Sequence, residues 1–223
     1  MGDKMFSSKV AVMISLITLG ICMYLYFPFP NNPMVETQAR TIFMSFPISN
    51  YDGSISLGIT GSVLFIAAII LLAIGLKKYR LRTTIIVVIA YTILPTLLIT
   101  MYQETLAKGI DAISYNGEGA CSFDSVDEDL MDAKCNLSLH NRSNEAVTFE
   151  LEFLDSTYQE DDLRMESLMN LAGPHRVTIE ANQKRRINFK ESLNLSNVPN
   201  HIGGGTSKGI HIKIIDGETL RIL

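Results

Sequence analysis

Cys121 and Cys135 have the plainest chemistry in this chain: fourteen positions apart, they can close a disulfide in an oxidising compartment. Between them lie Asp124, Asp127, Glu128, Asp129 and Asp132, carboxylates of the kind a hard cation such as calcium accepts. Their spacing does not follow a helix–loop–helix calcium loop and the central glycine is missing, so the residues favour a solvated acidic hairpin. His140, His175, His201 and His211 are never paired at metal-ligand spacing, and His211, between Ile210 and Ile212, reads as the polar face of a strand. Gly203-Gly204-Gly205 is followed by Thr206, Ser207 and Lys208 but by no GK[ST] sequence, so it reads as a flexible hairpin rather than a phosphate loop. Asn136-Leu137-Ser138, Asn141-Arg142-Ser143 and Asn194-Leu195-Ser196 would accept glycans in a eukaryotic secretory pathway. These residues specify no catalytic, cofactor-binding or metal site, and no cofactor is expected.

The elements that would position them divide sharply. Val10–Phe27, Ile55–Leu76 and Thr83–Met101 contain no Asp, Glu, Lys, Arg or His. Each is about the length a helix needs to cross a bilayer core of roughly 30 Å. They predict a membrane α-helical region over 1–102, with three transmembrane helices at about 10–27, 55–76 and 83–101. The mean hydropathy of +0.21 and the 19% of charged residues agree. A retained first span is favoured over a cleaved signal peptide, because Tyr26-Phe27-Pro28-Phe29-Pro30 lacks the small residues a signal peptidase needs.

Charge is as unevenly spread as hydropathy. Residues 1–102 hold three acids (Asp3, Glu36, Asp52) and seven bases (Lys4, Lys9, Arg40, Lys77, Lys78, Arg80, Arg82), a net of +4. The whole chain has 23 acids and 19 bases, which leaves 20 acids and 12 bases, net −8, for 103–223. A unit this acidic repels phosphates unless bases are segregated on one face, and Lys184-Arg185-Arg186 is its only basic run; no nucleic-acid partner is expected. Lys77, Lys78, Arg80 and Arg82 fill the turn between the second and third runs, so this turn is expected in the cytoplasm with the N-terminus. Three spans then put the C-terminal domain outside the cell, where a Cys121–Cys135 disulfide persists.

Within the spans, Gly58 and Ser62 form a small-xxx-small pair that admits a close helix, while Thr92, Thr96 and Thr100 flank Pro95. The absence of charge inside the runs argues against a self-contained coupled transporter. Residues 103–113 read as an amphipathic connector. Beyond it, Val147, Phe149, Leu151 and Phe153 alternate with Thr148, Glu150, Glu152 and Leu154, the period of a half-buried strand. Similar runs at Cys121–Val126, Cys135–His140, Val177–Ala181, Arg186–Lys190, Ile210–Ile215 and Thr219–Leu223 bring the number to seven. Asp216-Gly217 suits a tight hairpin. The texture of 114–223 predicts an all-β, immunoglobulin-like antiparallel β-sandwich.

Ala112-Ile113-Ser114-Tyr115 before the first of the two cysteines, and Arg164-Met165-Glu166-Ser167-Leu168 before Gly173-Pro174, follow the hydrophobic runs in an arrangement that resembles uncharacterised small multi-pass membrane proteins of Bacillus-like Gram-positive bacteria. The resemblance extends over most of the chain and implies a cell-membrane protein with an extracytoplasmic segment. It carries no activity to transfer. The expected function is non-enzymatic: the membrane region lies in the lipid bilayer and presents the β-domain to a protein or cell-envelope partner. The alternative is an accessory or sensory subunit of a transport or signalling complex.

Overall fold

Apolar helices and alternating strands separate into two compact units, Met1–Thr100 and Met101–Leu223. The computed structural model describes residues 7–37, 39–50, 53–127, 129–155 and 163–223.

In the N-terminal unit, Ser8 caps α1 (Lys9–Leu25) by accepting the Ala11 amide. A short helix α2 (Pro33–Glu36) and a small antiparallel sheet follow, made of β1 (Thr41–Phe43), β2 (Phe46–Asn50) and β3 (Gly53–Ser54). Two long helices complete the unit, α3 (Ser56–Gly75) and α4 (Arg80–Thr105). α1 packs antiparallel along α3. The Gly75 carbonyl accepts the Ser7 amide at 2.8 Å, Ser15 Oγ donates to the Ala68 carbonyl at 2.7 Å, and Cys22 Sγ lies 3.9 Å from the Gly61 carbonyl. Side chains at Gly61 or Gly75 would strike the Phe46 ring and Val12 respectively, so the close seam is Gly61, Ala68 and Gly75. At the expected small pair it is the Pro47 carbonyl, not a helix, that approaches Gly58, and Ser62 bonds back to Gly58 on its own helix.

Among the described residues two helices, α3 and α4, are long and apolar enough to cross a membrane, rather than the three expected. α1 stops at Leu25, ahead of Pro28 and Pro30, and its 17 residues rise only about 26 Å. α4 runs unbroken through Pro95 and on to Thr105, four residues past the last apolar run; Thr92 turns its hydroxyl to the Ile89 carbonyl.

The C-terminal unit begins with the end of α4 and a 3-10 turn, Gly109–Ala112. Eight strands follow: β4 (Ile113–Asp127), β5 (Leu130–Asn141), β6 (Val147–Leu154), β7 (His175–Ile179), β8 (Lys184–Asn194), β9 (Gly205–Lys208), β10 (His211–Asp216) and β11 (Thr219–Ile222). They form two antiparallel sheets of order β8-β5-β4-β9 and β7-β6-β10-β11. Among the described residues one strand more is present than the sequence suggests, because the glycine run does not end in a loose hairpin: Gly205 opens β9, which pairs with β4. β4 also starts at Ile113 rather than near Cys121, its regular pairing interrupted between Tyr115 and Gly119. Inward residues of both sheets share one core, and the Phe153 ring of β6 meets the Phe189 ring of β8 edge-on at 5.4 Å. Glu166–Ala172 forms a 3-10 helix, while 156–162 lie outside the described residues.

Buried Arg221 and Gln103 fasten the entrance to this unit. Arg221 Nη1 donates to the carbonyls of Ile110, Asp111 and Ile113, and Gln103 Nε2 to those of Asp111 and Ile113.

Candidate functional site

Side chains alternate across a strand, so what points inward fixes what points out. Cys121 on β4 and Cys135 on β5 stand directly opposite one another, bonded, with Cα atoms 4.1 Å apart and both side chains in the core. Their neighbours therefore face outward, and register assembles them into two rows across the β8-β5-β4-β9 sheet. Lys190, Lys134, Ser122 and Thr206 form the first; Asn188, Asn136, Ala120 and Lys208 form the second. Together they line a depression of about 570 Å³. Lys184 and Arg186, the alternate residues of the predicted basic run, continue the same face along β8. Lys184 and His140 line a smaller hollow of about 110 Å³ at that end.

Five of the unit's 12 bases thus share one sheet face although the unit is acidic overall. Among the described residues, none of the five forms an ion pair. The remaining bases are largely engaged elsewhere. Arg142 pairs with Glu104 at 2.6 Å and Lys213 with Glu152 at 2.8 Å; Arg185 donates to the Thr178 carbonyl, and Arg164 to Ser167. Lys134 and Lys190 are cross-strand partners and both exposed, an arrangement of like charges that costs stability. Charges on β8 alone would be explained by protection of an edge strand, since Lys there blocks pairing with another chain. That explanation does not reach Lys134, which sits on an interior strand. Asp124 and Asp132, on the same face, are opposite each other in the row nearer the β4–β5 hairpin.

The other residues with possible chemistry are dispersed. His175 contacts Phe153 and Phe189, and His201 bridges to Arg164. Burial lowers the pKa of His211, a shift Glu166 opposes; burial, then Arg142 and Lys184, lowers that of His140. Glu166 is buried and accepts from Ser207 Oγ, while Asp155 accepts the Met165 and Ser167 amides and the Ser167 hydroxyl. Among the described residues, no group of three or more His, Cys, Asp or Glu is placed to hold a metal ion. Asp124, Asp127, Asp129 and Asp132 lie along the β4–β5 hairpin, and Glu128 falls outside the described residues. Asn141 cannot carry a glycan: it is buried, with Nδ2 donating to the carbonyls of Glu145, Ile179 and Glu180. Lys77, Lys78, Arg80 and Arg82 lie in the α3–α4 turn and at the start of α4, where Tyr79 has φ 60° and the Arg80 guanidinium bonds the Leu76 carbonyl.

Comparison with protein-family models, curated proteins and solved structures finds no match. The basic face therefore rests on its own geometry. Lys134, Lys190 and Lys208 escape sequence reading because they are 18 to 74 positions apart; the available signal was that each flanks an inward apolar or cysteine position by one or two residues.

Proposed function

We propose that this chain is a non-enzymatic integral membrane protein whose residues 114–223 form an extracytoplasmic β-domain that binds a protein or cell-envelope partner. The single observation that carries the reading is the unpaired basic face, held at a cost in cross-strand repulsion on an otherwise acidic unit. Several groups suited to catalysis are otherwise occupied: Cys121 and Cys135 in the disulfide, Glu166 with Ser207, and Asp155 with backbone amides.

The two apolar helices α3 and α4 support insertion in a membrane. The seam from Gly75 to Gly61 supports a third crossing, because a bilayer that takes up α3 takes up α1 beside it. The turn at Lys77, Lys78, Arg80 and Arg82 favours a cytoplasmic position for itself, and the disulfide favours an oxidising compartment for the β-domain. The strand order supports an immunoglobulin-like sandwich: with β4, β5, β6, β7, β8, β10 and β11 lettered A, B, C, C′, E, F and G, the sheets read A-B-E and C′-C-F-G.

The second reading, an accessory or sensory subunit of a transport or signalling complex, is favoured by α4. Only 6% of its most apolar stretch is buried by the rest of the chain, against 33% for α3. Photo-crosslinkers at Asn188 on the basic face and at Ile93 on α4 separate the two in native membranes. Adducts from Asn188 to an envelope component or an external protein are expected. Adducts confined to Ile93 and a polytopic protein would replace the first reading with the second.

A further inference from the structure

The basic face resolves into a pattern of spacings. Lys134 and Lys190 are register partners, about 5 Å apart at Cα. Arg186 lies four residues from Lys190 along β8, about 13 Å, and Lys184 six residues, about 20 Å. Lys208 is two strands from Lys134 and one row along, about 12 Å away. A single phosphate is gripped by converging donors, whereas Lys184, Arg186 and Lys190 are laid out along about 20 Å of β8, with Lys134 beside Lys190 and Lys208 to the side in the Asn188 row. Between them stand hydroxyl and amide groups, Ser122, Asn136, Ser138, Asn188 and Thr206. The outward positions carry no Phe, Tyr or Trp. The face therefore offers no platform on which bases stack and no aromatic anchor for a peptide hot spot.

We propose that the outward face of β8-β5-β4-β9 binds an extended polyanion whose repeat units carry hydroxyl groups, a phosphodiester-linked polyol or sugar chain, along the β8 line Lys184, Arg186 and Lys190, with Lys134 and Lys208 flanking it on the inner strands and β9. The inference rests on the presented-domain reading and gives its partner a chemical class. Phosphates seat against the lysine pair and the flanking bases, and the amides and hydroxyls meet the polyol oxygens. Such a ligand relieves the Lys134–Lys190 repulsion that the free protein carries. Asp124 and Asp132 end the track on the hairpin side by repelling further phosphates.

The test uses the full chain in nanodiscs of zwitterionic lipid, with immobilised poly(glycerol phosphate) as the probe. Binding that weakens with added salt and survives excess inorganic phosphate is expected. The Lys134→Gln/Lys190→Gln pair should bind on the order of tenfold more weakly. Lys213→Gln, on the other sheet, should bind as the parent does. Retention of the disulfide and of β-rich circular dichroism shows that the double variant folds. Unchanged binding by the double variant overturns the proposal, as does equal affinity for polyglutamate or duplex DNA, or retention by anionic-lipid vesicles in place of the polymer. If the polymer fails to bind while Asn188 still crosslinks to an external partner, only this inference falls. If both fail, the presented-domain reading falls with it.

Discussion

Arg221 and Gln103 are expected to behave as a coupled pair in a double-mutant cycle. Both are buried, and the carbonyls of Asp111 and Ile113 each accept from both side chains. Arg221→Met alone leaves those two carbonyls with Gln103. Ile110 loses its side-chain donor but keeps the Ile113 amide. Gln103→Leu alone leaves both carbonyls with Arg221. Each single change should cost about 1–3 kcal/mol, the usual consequence of deleting one buried hydrogen-bonding partner. The Arg221 figure sits at the low end, because burial lowers its guanidinium pKa to about 10 and Met removes that desolvation. The double variant deprives two buried carbonyls of both side-chain donors, which adds about 2 kcal/mol or more beyond the sum. Urea unfolding of all four proteins, followed by far-ultraviolet circular dichroism, measures the cycle. Additivity within about 0.5 kcal/mol would refute the reasoning, since independent sites behave that way.

Phe149 is buried opposite Val177, whereas exposed Glu150 faces Arg176; in a fragment spanning 103–223, Phe149→Asp should abolish cooperative melting. Glu150→Lys should cost no more than about 1 kcal/mol, and equal effects of the two would show that the register of β6 is wrong. Alkylation of the denatured, unreduced protein should modify Cys22 alone, and Cys121→Ala/Cys135→Ala should cost about 3 kcal/mol from the loop the bond closes. A labelled Cys121 or Cys135 contradicts this. Burial holds His211 below its usual pKa near 6.5, so on acidification the unfolded chain takes up the proton first. The stability that neutral His211 contributes is present above about pH 6.5 and is lost as pH falls toward the folded value; His211→Asn should reduce the pH dependence of the denaturation midpoint over that range, His140 retaining its share, and an unchanged slope would refute it.

Local periodicity carried much of the architecture. The uncharged apolar runs become α3, one residue shorter at each end, and the longer α4, and the alternation at Val147–Leu154 is the strand β6 at the bounds it suggested, because both signals depend on neighbours a few residues away. Most inward positions of the strands were equally legible, with Ile187 and Phe189 only partly buried. What local pattern does not contain is partnership. β9 grows from a glycine run because β4 supplies its hydrogen bonds, and Asn141, in a tripeptide that reads as a glycan acceptor, is a buried bracket because Ile179 and Glu180 come to it from another strand. α1 ends two residues before its apolar run does, since the chain leaves the helix at Leu25 ahead of its prolines. The basic face shows the same division most clearly. Sequence determined that a lysine stands at 134, at 190 and at 208; only the register across four strands, set by which side chains the core takes, decided that they would share one surface.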